Sequence, residues 1–349
     1  MKPFDLNLLT EPSIRREYDV LLRRAEAVTK SVQDSLGADR DPIKYHFVEA
    51  DVFNACVTRD QDAYFIEINN SVPLLMMILF GALLSQPDML PYLDSKSGFA
   101  TNENLPAVVD PLNFEGRAIW DVKLTAERSF AALTLADMCS LFIFCHEIGH
   151  IVSGHADAQS AVTGDGKIAE LISVAPKGKI DETVLQAWEL DADGVAASLM
   201  ISFIDELLTL RNARSELDAL LGDREEALPN LLAIAVSSLF AVFCYITGTR
   251  DQLDLKSTHP HPLVRAHYLH DMILNAAEAK WTFDRGTFEK CFDERLDETM
   301  HALEQIKLLP ARILEEDFGS AVQEDMRWQI NNQKRVKAEF ASWSWVEWG

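Results

Sequence analysis

Apolar residues in the first 40 positions recur at three- and four-residue spacing. Ile14, Tyr18, Leu21, Leu22, Ala25, Val28 and Val32 form one stripe, with Arg15, Arg16, Arg23 and Arg24 turned away from it, which predicts an amphipathic helix. A turn over Gly37 to Pro42 ends it. The period then changes to two. Tyr45 to Glu49, Val52 to Thr58 and Tyr64 to Asn69 are short runs rich in β-branched and aromatic residues. Polar turns such as Arg59-Asp60-Gln61-Asp62 separate them, and together they predict a small antiparallel sheet of hairpins. Val72 to Leu84 returns to helix. Gln86 to about Arg117 is aperiodic and carries Pro and Gly, the pattern of a functional flap or insert.

Val122 to Ser153 predicts a long apolar helix closed by Gly154 as its C-terminal cap. Ala156 to Asp181, with Gly164, Gly166 and Gly178, reads as loop, and Thr183 to about Leu221 as helix. A strongly apolar helix follows from Ala227, then a Pro-rich turn at Thr258 to Pro262. Leu263 to Gly349 is helical and charged and ends in Trp343, Trp345 and Trp348. The elements sum to a predominantly helical α+β fold in three segments: an N-terminal helical segment 1–44, a central domain 45–275 with an insert at 86–130, and a helical extension 276–349. No repeat or low-complexity tract interrupts them.

Two apolar runs bear on whether the chain meets a membrane. Val72 to Ser85 is too short to span one as a helix. Ala227 to Thr249 carries no charged residue and is long enough, but it contains Pro229, Ser237, Ser238 and Tyr245 and has no basic cluster on either flank. A buried core helix is the favoured reading and a membrane segment the alternative. The N-terminus lacks the continuous apolar core of a signal peptide, so none is expected.

Composition narrows the function classes. With 55 acidic against 32 basic residues the formal net charge is -23, which repels phosphate backbones and argues against nucleic acid as a partner. The five cysteines, Cys56, Cys139, Cys145, Cys244 and Cys291, are odd in number and form no C-x-x-C pair. That usage suits reduced thiols in the cytoplasm.

The sharpest chemistry lies in His146-Glu147-Ile148-Gly149-His150, an H-E-x-x-H motif inside the long apolar helix. Residues four apart on a helix stand roughly 40° apart around the axis and about 6 Å along it, so both imidazoles can reach one metal ion. Glu147 points to a neighbouring direction, where it can take a proton from a water molecule. A chance match is expected on the order of once or twice in a hundred such chains. The preceding Leu141-Phe142-Ile143-Phe144-Cys145 marks the helix as buried, and ionisable residues there are costly unless paired or metal-bound.

A catalytic zinc wants a third protein ligand. His155 follows the motif, but His155 and Gly154 each miss the metzincin spacing by one residue; a surface or supporting role fits it better. Glu189 in Trp188-Glu189-Leu190-Asp191-Ala192-Asp193-Gly194 is the stronger candidate. Glu189 and Asp193 share a helix face, so one can ligate while the other braces an imidazole. Ala192, Gly194, Ala196 and Ala197 are small enough to let the two helices approach closely.

H-E-x-x-H followed by E-x-x-x-D resembles the gluzincins. The order of Asn54-Ala55, the strand Tyr64 to Asn69, the apolar helix, the two motifs, and then Ser257-Thr258-His259-Pro260 with Arg265 is similar to the HtpX and CAAX prenyl protease family. The likeness covers about residues 45–85 and 135–270, and it is strongest at the metal motifs. It implies a zincin-like peptidase domain with Zn²⁺ held by His146, His150 and Glu189, and Glu147 as general base. It further implies that Asn54 and Ala55 border the substrate cleft, that His259 stabilises the oxyanion, and that Arg265 braces Asp193 or the cleft. His261 is the runner-up to His259, and both are equally readable as turn residues beside Pro260 and Pro262.

That family usually crosses the membrane several times, whereas this chain offers at most one span. A looser similarity is to the soluble phage-exclusion peptidases of the Lit type, which would imply a role in phage defence. The resulting expectation is a zinc endopeptidase acting on a protein or peptide, with the flap or a regulatory protein partner restraining it. The competing expectation is a catalytically silent zincin-fold binding module acting through its helical C-terminus.

Overall fold

The computed structural model describes residues 3–9, 11–37, 40–50, 52–94, 124–164, 166–169, 180–210, 215–221, 226–247, 259–305 and 316–345. In chain order the elements are α1 (Pro12–Leu36), β1 (Ile43–Val48), β2 (Ala55–Asp60), β3 (Ala63–Asn69), α2 (Ser71–Leu83), α3 (Ala126–Val152), α4 (His155–Thr163), β4 (Gly166–Ala169), α5 (Glu182–Leu210), α6 (Ser215–Leu220), α7 (Ala227–Thr247), α8 (Pro262–Lys280), α9 (Arg285–Gln305) and α10 (Glu316–Phe340). The centre of the expected insert, residues 95–123, lies outside the described residues, as do Ser257, Thr258 and Trp348. Its last residues belong to α3, which starts at Ala126 with the Thr125 hydroxyl accepting from Arg128 N–H at 3.2 Å.

The sheet is mixed, not the expected antiparallel set of hairpins. Its order is β1-β3-β2-β4, with β1 parallel to β3 and β2 antiparallel to both β3 and β4. Of the three expected strands only β2 and β3 make a hairpin, turning at Gln61–Asp62. Parallel neighbours need a crossover, and here β2 with its flanking residues forms it, so β3 slots between β1 and β2. A two-residue period marks strands but carries nothing about which strand lies beside which. Within residues 156–181, expected as loop, α4 and β4 appear instead. The glycines at 164 and 166 mark the junction between them.

Helix α3 runs through the middle of the protein, touching α1, α2, α5, α7 and the β2–β3 face. Every residue from Ala131 to Val152 except Leu133 is buried, as an apolar pattern around the whole circumference requires. Each large side chain so buried contributes roughly 1.5–3 kcal/mol relative to exposure. Arg128, 1% exposed at its start, donates to the carbonyls of Leu84 at 2.6 Å and Gln86 at 3.1 Å, tying the end of α2 to α3.

Helix α7 lies in the core against α3, α8 and α9. Among the described residues, Ala126–Val152 and Ala227–Ile246 are long and apolar enough to cross a membrane by length and composition, and both are mostly buried inside the protein. One hydrophobic cluster takes in residues of all three expected segments, from Ile14 on α1 to Trp345. Helix α10 packs on α5 and α8, and the tail beyond it folds back on the end of α3. There Trp345 N–H donates to the Val152 carbonyl at 2.8 Å and its ring meets Tyr64 edge-on, while Trp343 stays exposed.

Candidate metal centre

Helices α3 and α5 cross where Gly149 faces Ala192. A Cβ built on Gly149 would lie 2.7 Å from the Ala192 Cα, so only glycine permits this approach. The crossing brings His146 and His150 of α3 onto Glu189 of α5. One donor atom from each lies within 4.8 Å of the others. The two imidazole Nε2 atoms are 3.0 Å apart, and the Glu189 carboxylate oxygens stand 3.4 Å from His146 Nε2 and 3.5 Å from His150 Nε2. All three side chains are buried, and together they form a group that could hold a metal ion.

The outer nitrogens of the rings are held as well. His146 Nδ1 lies 2.9 Å from Asp193 Oδ1, one turn beyond Glu189 on α5. Arg265 of α8 grips the same carboxylate twice, Nε to Oδ2 at 2.8 Å and Nη2 to Oδ1 at 2.8 Å. Its guanidinium lies over the rings of Phe240 and Phe243 on α7, 5.3 Å from each centroid, and reaches within 3.6 Å of Glu189 Oε2. Burial alone would raise the Asp193 carboxyl, but Arg265 and then His146 outweigh it and hold it below the usual carboxylate range. A carboxylate facing His146 Nδ1 leaves Nε2 as the bare nitrogen, the one facing Glu189.

Burial pushes the His150 ring well below the ordinary imidazole range, and the neighbouring His146, His155, Arg265 and His259 push the same way. The ring is therefore neutral at pH 7, the form a metal requires. Glu147 is 0% exposed on the side of α3 that faces β2. Cys56 there has its thiol pushed up to about 12, by burial first and then by the Glu147 carboxylate. His259 sits 3.6 Å from Glu189 Oε1 and, at 14% side-chain exposure, is more open than the buried triad.

Not every residue singled out in the sequence arrives at the centre. His261 is buried as the N-cap of α8, where its Nδ1 accepts from Leu263 N–H at 3.2 Å, so it serves the helix that carries Arg265. Ala55 is the buried first residue of β2, and Asn54 just before it accepts the Asn69 N–H at 3.0 Å through its carbonyl. The outer side of β2 from Cys56 to Arg59 pairs with β4, so the open hairpin edge expected near Asn54 is covered from Cys56 onward. Comparison of the chain with protein-family models, curated proteins and solved structures finds no match.

Two contributors have no sequence pattern to announce them. Asp191, buried on α5, is joined by Lys337 of α10 at 2.6 Å and lies 3.4 Å from His155. Lys337 stands 146 positions away from Asp191 along the chain, and only the folding of α10 onto α5 brings them together.

Proposed function

We propose that this chain is a zinc-dependent endopeptidase in which His146, His150 and Glu189 hold the metal and Glu147 is the general base. One observation carries the reading. Two imidazole nitrogens and a carboxylate converge from two helices while a further glutamate occupies the position after the first histidine. The donor set, two nitrogens and one oxygen, is the kind that binds zinc and keeps a coordination position open. When bound, zinc supplies Lewis-acid polarisation and brings a water molecule's pKa towards neutrality.

The protein's own residues carry the rest. The Glu147 carboxylate takes the water proton and returns it to the leaving amine nitrogen. Its apolar surroundings on α3 exclude bulk water and strengthen every charge interaction there. His259, the more exposed imidazole beside Glu189, faces the developing oxyanion. Asp193 and Arg265 hold His146 in orientation and take no part in proton transfer. An extended peptide approaches beside Asn54 and Ala55, at the start of β2. Five free cysteines, four of them buried, fit a reducing compartment, and the burial of α7 favours a core helix over a membrane segment.

The test joins metal content to proteolysis. Wild-type protein should bind one equivalent of zinc, and Glu147→Gln should keep that zinc while losing peptide-bond cleavage by about 10²–10⁴-fold. New protein N-termini mapped in cells expressing either form would name the substrate. Equal cleavage by the two forms would dismiss Glu147 as the base, and a zinc-loaded wild type that generates no new termini would favour the binding-module reading.

A further inference from the structure

The two histidines differ in what stands behind them. His146 backs onto a carboxylate, whereas His150 backs onto a third imidazole: His150 Nδ1 lies 3.0 Å from His155 Nδ1. With His150 Nε2 turned to the metal, its proton sits on Nδ1 and is donated outward. His155 Nδ1 must then accept, which places the His155 proton on Nε2, and that atom faces Asp191 Oδ2 at 3.4 Å. Asp191 Oδ1 in turn accepts from Lys337 Nζ at 2.6 Å and from Gln333 Nε2 at 3.4 Å, both on α10. The chain of contacts thus crosses four helices, α3, α4, α5 and α10.

The His155 ring is fixed more tightly than a surface histidine would need. It is 3% exposed and stacks on Trp188 with centroids 4.9 Å apart and planes 11° from parallel. Gly154, at φ 78°, turns the chain so that His155 begins α4 directly behind His150. A side chain at Gly154 would run into the Trp343 carbonyl, so the tail after α10 closes over the same turn.

We propose that His155 is a positioning residue for His150, and that α10 completes the metal site from behind by holding Asp191 against His155 through Lys337. The inference rests on the metal reading and adds to it a role for the C-terminal helix: it is a working part of the centre, 146 positions from the carboxylate it grips. A neutral acceptor leaves His150 less electron-rich than a carboxylate would, so His146 and His150 are unequal ligands.

The test uses the full chain and three variants. His155→Phe keeps the stacking and removes both hydrogen bonds; His155→Asn restores an acceptor near the Nδ1 position; Lys337→Met removes the donor from α10. Zinc affinity is read by chelator competition, the ligand field by the visible spectrum of the cobalt-substituted protein, and folding by the melting of the metal-free chain. His155→Phe should weaken zinc binding about 10–100-fold and shift the cobalt bands, with a metal-free melting temperature close to wild type. His155→Asn should recover most of the loss, and Lys337→Met should weaken binding about 3–10-fold, smaller because it acts through two intermediate residues, Asp191 and His155.

Wild-type affinity and an unchanged cobalt spectrum in His155→Phe would overturn the proposal, as would His155→Asn behaving no better than His155→Phe. Should the Phe variant fail to fold, Lys337→Met decides alone, wild-type zinc affinity in it overturning the proposal; the Lys337 side chain is 29% exposed, and Asp191 keeps His155 and Gln333 beside it when the ammonium is removed. A wild-type chain that binds zinc no better than His146→Ala would instead bring down the metal reading itself.

Discussion

Gly149→Ala tests whether the approach of α3 to α5 builds the centre. The added methyl would sit 2.7 Å from the Ala192 Cα and 2.8 Å from its carbonyl oxygen. Ordinary carbon contacts are about 3.5–4.0 Å, so the helices must part by about 1 Å. Gly149 is next to His150, and Ala192 lies three residues after Glu189, so the parting is felt at the ligands. Metal–ligand bonds tolerate only about 0.2 Å, and zinc affinity should fall by at least about tenfold.

Stability should respond far less. Overpacking costs about 1–3 kcal/mol, but alanine regains about 1 kcal/mol of helix propensity over glycine, leaving a net loss of about 0–2 kcal/mol. Gly81→Ala on α2 is the control, because nothing lies within 4 Å of its added Cβ; it should stabilise the fold by about 0.5–1 kcal/mol and leave zinc alone. Chelator competition and urea melts of the metal-free proteins separate the two quantities. Wild-type zinc affinity in Gly149→Ala would refute the view that this crossing sets the ligand spacing.

Three further outcomes follow from the same geometry. Arg265→Leu strips the fully buried Asp193 of its bidentate partner and should destabilise the metal-free chain by about 3–5 kcal/mol in urea melts; a loss under 1 kcal/mol would mean Asp193 is held by other groups. Because the folded His150 ring stays neutral while the unfolded ring protonates around 6.5, the unfolded chain binds more protons on acidification, and stability present at higher pH is lost below 6.5. Asp137, raised by burial to about 7, pulls the opposite way, so the comparison is with His150→Gln. Between pH 7.5 and 5.5 the metal-free wild type should lose about 1.4 kcal/mol more than that variant, and identical pH profiles would contradict a depressed His150. Phe240→Ala, in the middle of α7 at 0% exposure, should cost about 3–5 kcal/mol by denaturation in detergent-free buffer, and a negligible change would argue against α7 as a core helix.

Local pattern reached a good part of this protein. The helix carrying His146, Glu147 and His150 was legible because its apolar residues surround the whole circumference, and Gly154 takes the left-handed turn expected of a cap. Glu189 and Asp193 were legible because four-residue spacing on a helix gives two side chains one face. The sheet was not. β1 and β3 are separated by β2 in sequence yet pair side by side and parallel, and strand order depends on contacts distant in sequence that a two-residue period does not encode. α4 and β4 were hidden by glycines that mark junctions as readily as loops. His261 looked like chemistry and is a helix cap, since the same imidazole serves either purpose according to what lies beside it.

What the chain determined by itself is the pair of helices and the donors each presents, because helix geometry turns short spacings into shared faces. What only tertiary structure decided is how those donors are supported. Arg265, expected to brace Asp193 or the cleft, is settled on Asp193 by the packing of α8, while His155 reaches His150 across a turn and Lys337 reaches Asp191 from α10 with no pattern to announce either contact. Buried polar groups must find partners wherever the packing of apolar faces happens to deliver them, and that packing is a property of the whole core.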